Sequence, residues 1–158
     1  MTLFEVIKRL ETFCNSHLQV KKFGADFLEQ LPNFATQDEK YPVVFVNIPT
    51  SASLGENLNT FSLDVYCLDI IQKDRDNIIT ILSDTQLILN DIYLNLQTGT
   101  DWSIDVTGAS LTPLNNDLLD YAAGWVMNLT IEVETYCETD IPTEKWQRYL
   151  KYHTNKEQ

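Results

Sequence analysis

Two carboxylate pairs, Asp64/Asp69 and Glu132/Glu134, come nearest in this chain to the spacing that general acid–base chemistry uses. Such a pair works only in a cleft where burial or a neighbour moves the two pKa values apart. Glu132 and Glu134 fall on the polar side of an alternating segment, where a wet strand face accounts for them without catalysis. His17 and His153 stand near opposite ends of the chain and neither has the close partners that zinc takes. Cys14, Cys67 and Cys137 are odd in number and far apart, each within an expected regular element. They read as reduced, buried small hydrophobes and not as a disulfide framework. No G-x-S-x-G, C-x-x-C, H-E-x-x-H or glycine-rich phosphate loop occurs, and the chain has only five glycines. The expectation is a protein that is not an enzyme and takes no cofactor or metal.

The elements around these residues form an α+β chain with a mainly antiparallel sheet, an N-terminal helix, one long central helix and a short C-terminal helix. Leu3, Val6, Ile7, Leu10, Phe13 and Cys14 recur at helical spacing, with Thr2 and Glu5 placed as a capping box. His17 belongs on the apolar side of that helix, as a packed histidine. Residues 18–24 read as a short strand ended by Gly24, and residues 26–31 as a helical turn in a loop around Pro32. After Pro42, VVFVNI is a strand buried on both faces, and residues 49–59 form a long polar loop. Phe61, Leu63, Val65 and Cys67 alternate as a half-buried strand.

A helix then starts near Asp74, with Ile78, Leu82, Thr85, Leu89, Ile92 and Leu96 inward. Ile79, Ile81, Leu87, Ile88 and Leu94 widen its apolar surface, so it either lies deep in the domain or is covered by another subunit. Trp102, Ile104 and Val106 mark a strand and residues 107–117 a polar connection. Residues 125–137 alternate most cleanly, with Trp125, Met127, Leu129, Ile131 and Val133 on the core side and Val126, Asn128, Thr130, Glu132 and Glu134 on a wet side. Asn128-Leu129-Thr130 matches a glycosylation acceptor but lies mid-strand. The expected division is one domain over residues 1–142 and a basic, aromatic tail over residues 143–158.

Charge is unevenly distributed. Residues 76–144 hold twelve Asp/Glu and no Lys or Arg, whereas residues 145–158 hold four basic residues and one acidic. Clustered Lys/Arg is what phosphate backbones and anionic membranes need, so neither is an expected binding partner. The acidic stretch reads either as a solvated surface or as a wall that repels DNA passing close by. The basic tail suits an acidic neighbour, and Trp146, Arg148, Tyr149 and Tyr152 are candidate interface residues. Packing of that tail on its own sheet is the other reading. The N-terminal stretch MTLFEVIKRLETFC has charges among its apolar residues and no cleavage pattern, and no run reaches the roughly 18–20 apolar residues of a membrane span. A chain kept in a cytoplasm, or assembled there into something larger, is expected.

The order of these elements, with YPVVFVNI, TFSLDVYCLDI and DNIITILSDTQLILNDI at its centre, resembles the tail-completion and tail-terminator proteins of tailed bacteriophages. The resemblance covers roughly residues 3–137 and does not extend to the tail from Thr143. It implies a ring of six or twelve subunits at the head–tail neck, in contact with portal, connector or tail proteins, through which DNA passes without specific binding. It implies location in the virion after a stage in the host cytoplasm. In such a ring Leu54 would join the candidate interface, and Asp101, Asp105, Glu132 and Glu134 would form an acidic channel face. The alternative is an acidic adaptor or inhibitory module for a basic protein partner.

Overall fold

A computed structural model describes residues 2–98, 104–115 and 119–134, except for the side chains of Pro49 and Thr50. Helix α1 (Leu3–Ser16) leads to strand β1 (Lys22–Asp26), a 3-10 turn (Leu28–Gln30) and a single-turn helix α2 (Leu31–Phe34). Strands β2 (Val43–Leu54) and β3 (Leu58–Ile70), the long helix α3 (Ile78–Thr98), and strands β4 (Ile104–Asn115) and β5 (Ala122–Glu134) complete the described order. The five strands form one sheet in the order β1-β2-β3-β5-β4. Only β1 and β2 run parallel, and the other three pairings are antiparallel. The architecture is α+β with a mainly antiparallel sheet. The expected C-terminal helix lies outside the described residues.

α1 begins where its residues require. The Thr2 amide donates to Glu5 Oε2 at 2.6 Å and the Glu5 amide to Thr2 Oγ1 at 3.3 Å, so two donors that a bare helix end leaves unmade are satisfied. Val6, Leu10 and Cys14 point inward. α3 lies beside α1 on the same face of the sheet, burying Ile81, Thr85, Ile88, Leu89, Ile92 and Leu96. Side chains at β3 Leu63, Val65 and Cys67 meet β5 Leu129, Met127 and Trp125 in register and complete this core. Trp125 Nε1 donates to the Leu82 carbonyl at 2.8 Å, and an Arg9 guanidinium N–H to the Asn95 carbonyl at 2.6 Å, tying α3 to β5 and to α1.

The opposite face of the sheet is covered over half its length. Leu31 and Ala35 of the α2 region, Leu119 and Ala122 close over Val43, Phe45, Tyr66, Leu68 and Val126. Lys22 fixes this cover by donating to the Phe34 carbonyl at 2.8 Å and pairing with Glu39 at 2.7 Å. β2 is therefore buried on both sides at Val43–Val46, as its unbroken apolar run predicts.

Several expectations are corrected. β1 runs through Gly24 instead of ending there, paired with Phe45 and on to Asp26 with Asn47, and a Cβ at Gly24 would come within 2.5 Å of the Phe34 ring that lies on it. The helical turn expected over residues 26–31 lies further on, as the 3-10 turn Leu28–Gln30 and α2 Leu31–Phe34, and Pro32 fits within α2 because it sits at the first turn, where no backbone N–H is needed. Residues 49–59 are not a long loop but the ends of β2 and β3, joined at residues 55–57 and closed by Gly55 N–H to the Leu58 carbonyl at 2.7 Å. Residues 107–115 likewise continue β4, and Pro113 is tolerated because β4 is an edge among the described strands.

α3 starts at Ile78, not near Asp74. Arg75 adopts a positive φ of 56°, which no helix continues, and Asn77 holds the turn by accepting from the Gln72 amide and donating to the Ile70 carbonyl. Ile78 and Leu82 are half-buried, while Ile81 and Ile88 take core positions. Val126, expected on a wet face, is covered by the second cluster. Trp102 and residues 135–137 lie outside the described residues.

Leu89 has no exposed surface, so Leu89→Ala is expected to cost about 2–5 kcal/mol by chemical denaturation. At Gly124, φ is +158° and a Cβ would lie 1.9 Å from the Cys67 carbonyl oxygen of the paired strand. Gly124→Ala is expected to exceed the ~1–3 kcal/mol of ordinary overpacking, read as a lower melting temperature with loss of β3–β5 pairing.

Candidate functional site

The half of the second sheet face that the α2 region leaves bare is where the charged candidates gather. Pairing sets Asp105 beside Glu132, Glu132 beside Thr60, and Asp64 beside Asn128, with Ser110 next in that row. Glu134 stands two residues from Glu132 on the same side of β5, opposite Leu58. The structure thus brings Asp105, Glu132 and Glu134 onto one face, and adds Asp64. Serine, threonine and asparagine fill the space between, and no lysine or arginine stands at any strand position of that half. Asn128 donates to Asp64 Oδ1 at 2.5 Å, which is what the polar end of the sequence Asn128-Leu129-Thr130 does here.

This face is acidic without being a cleft. Asp64 and Asp69 do not form a pair, because five residues along a strand put their side chains on opposite faces. Among the described residues no three His, Cys, Asp or Glu side chains converge as a metal ion would require. His17 is engaged in packing and capping: its Nε2 is 3.1 Å from Asp91 Oδ2, its Nδ1 accepts from the Gln19 amide, and its ring tilts against Phe13. Cys14 and Cys67 are both buried and free, and burial pushes the Cys14 thiol up to about 12 and the Cys67 thiol well above its ordinary value. Neither is a thiolate at neutral pH, so neither is a nucleophile. Cys137 and His153 lie outside the described residues.

Leu54 is 85% exposed at the end of β2, where residues 51–54 extend as an arm with solvent on both sides. A groove of about 680 Å³ runs between α3 and β4, lined by Ser83, Gln86, Leu87, Asn90 and Tyr93 of the helix, residues 106–111 of the strand, and Met127. No charged side chain lines it. Reading the sequence did not find this groove, although α3's excess of apolar residues signalled it: Ile79, Leu87 and Leu94 are exposed on that helix. Asp101, Trp146, Arg148, Tyr149 and Tyr152 lie outside the described residues. No helix among the described residues is long and apolar enough to cross a membrane.

Asp69, on the helix-covered side, has its pKa raised, chiefly by burial and then by the nearby Asp84 carboxylate. A carboxyl with a raised folded-state pKa binds its proton more tightly when folded, so it opposes folding above that pKa and ceases to do so as pH falls below the unfolded value. Asp69→Asn is therefore expected to raise the melting temperature at neutral pH, with the gain shrinking through the acid range. Melts across that range that show a pH-independent difference would refute this assignment.

No family model matches the chain, and no curated protein matches it. Among solved structures, one whose name says nothing of function superposes over 84% of this chain and 93% of its own, at 13% identity and a TM-score of 0.45. Likeness of that degree carries no argument about function.

Proposed function

We propose that this chain is a structural virion protein of a tailed bacteriophage, forming a ring at the head–tail neck as a tail-completion, tail-terminator or connector protein. The observation that carries this reading is the bare half-face of the sheet, with Asp64, Asp105, Glu132 and Glu134 and no basic strand position among them. A duplex carries one negative charge per roughly 1.7 Å of its axis, and proteins hold it by neutralising those charges with Lys and Arg. A wall whose described strand positions offer carboxylates, hydroxyls and amides but no Lys or Arg has no positive charge to hold it with, and repels it within a Debye length of about 8 Å at physiological salt. Turned inward in a ring, this face lets DNA pass without sticking. The order α1 to β5 is compatible with that reading, although the flexible polar loop that the resemblance also drew on shortens to residues 55–57.

In this reading the partners are six or twelve copies of the chain itself and the portal, connector or tail proteins on either side. The work is mechanical and no reaction belongs to it. The chain sits in the virion neck or tail after a stage in the host cytoplasm.

The same acidic face favours one other reading, an adaptor or inhibitor that covers a basic protein. Native mass measurement and electron microscopy of the purified chain, with detection of the chain in virions, separate the two. A closed ring with a central channel and virion association are expected. A monomer absent from virions that binds a basic protein at low salt and releases it at high salt would replace the ring by the adaptor.

A further inference from the structure

The sheet ends on both sides in backbone that no described strand pairs. On one side β1 covers β2 only at Val43–Asn47, so residues 48–54 have an open outer edge among the described residues. On the other side β4 is the last described strand. Residues 48–54 and residues 106–115 contain no charged side chain. Long uncharged edges are what monomeric proteins avoid, by means of lysines, short strands or covers.

We propose that the sheet continues from one copy of this chain to the next, the β2 arm of one subunit adding antiparallel along β4 of its neighbour. This rests on the ring reading and names the contact that builds the ring. With a formal charge of −12, copies of the chain repel one another where their acidic faces meet, and residues 48–54 and 106–115 bring no charge of their own to the contact. Direction also fits. β2, β3, β5 and β4 alternate, so repeating the sheet in the same sense places β2 antiparallel to β4 and keeps the helices on one side throughout.

Register is set by the pleat. Ala52 and Leu54 project to the helix side, as their partners Phe61 and Asn59 do, and Ala109 and Leu111 project to that side opposite Leu129 and Met127. Setting residues 51–54 against residues 109–112 puts Leu54 opposite Ala109 and Ala52 opposite Leu111, a large side chain against a small one each time. Both pairs then lie over the uncharged groove beside Leu87. On the other side Ser53 meets Ser110. The axial stagger this needs between copies is what closing a sheet requires, and head-to-tail contacts of this kind close into rings.

Leu54→Glu and Ala109→Lys change exposed residues, so both variants should fold as the parent does, read as an unchanged circular dichroism spectrum. Each alone is expected to weaken assembly by about tenfold or more in analytical ultracentrifugation, and the two together in one chain to restore it. With Ser53→Cys and Ser110→Cys in one chain, mild oxidation should give a ladder of covalent oligomers up to the ring. A ring that survives both single charge substitutions, a ladder that stops at the dimer, or cysteines that close within one chain would overturn the edge contact and leave the ring reading standing. A parent chain that stays monomeric at every concentration would remove both.

Discussion

The uninterrupted pairing of β3 with β5 is the constraint on which the rest of the molecule depends. Thirteen residue pairs, from Leu58 with Glu134 to Ile70 with Ala122, run without a shift. Because side chains alternate, this one register decides the surroundings of every residue on both strands, and a slip of a single residue would turn the core to solvent. Leu63, Val65 and Cys67 are held against Leu129, Met127 and Trp125, and that apolar surface is the bed on which α1 and α3 lie. The close approach at Gly124, where only a residue without a Cβ fits against the Cys67 carbonyl, fixes one end of the pairing.

The same register sorts charge. Residues that alternate with the core set must emerge on the second face, and there the chain uses two different solutions. At one end the α2 region closes over Phe45, Tyr66 and Val126, and Lys22 ties it down through the Phe34 carbonyl and Glu39. At the other end no described element covers the face, and it carries carboxylates. Like charges side by side, as at Asp105 and Glu132, cost only about 1 kcal/mol in water at 4 Å, so an uncovered face bears them where a buried one would not. Asp69 shows the contrast: on the covered side, burial and Asp84 hold its proton more tightly.

An acidic face and uncharged edges that no described element covers belong to one sheet, α3 beside it carries an exposed aliphatic stripe, and the ring proposal uses all three. In that proposal the acidic face would give DNA no basic groups to bind, the edges would be where copies of a strongly negative chain meet, and the stripe at Leu87 borders the groove that a neighbour's arm would cover. The same geometry gives packing roles to the described histidine and thiols. His17 is spent on Asp91 and the Gln19 amide, and the two described thiols are core side chains.

By itself the sequence determined what is local or periodic. The capping box at Thr2 and Glu5, the inward set Val6, Leu10 and Cys14, the alternation of Phe61 to Cys67 and the core side of Trp125 to Val133 all follow from spacing, because one packed partner imposes one period. The acidity of the region and the wet side of Glu132 and Glu134 were legible from composition and parity, whereas their meeting with Asp105 and Asp64 on one face, and the separation of Asp64 from Asp69, needed the pairing. What only the tertiary structure decided lay where no apolar pattern exists to read. Residues 49–59 and 107–115 are small and polar because solvent reaches them, and they are strands because backbone pairing with a neighbour holds them, which leaves no periodic trace. Gly24 looked like a strand end because its pairing with Phe45 and the Phe34 ring that lies on it are contacts from elsewhere in the chain. Arg75 and Asn77 displaced the start of α3 for a similar reason: the turn is held by bonds to Ile70 and Gln72, contacts that a propensity argument does not contain.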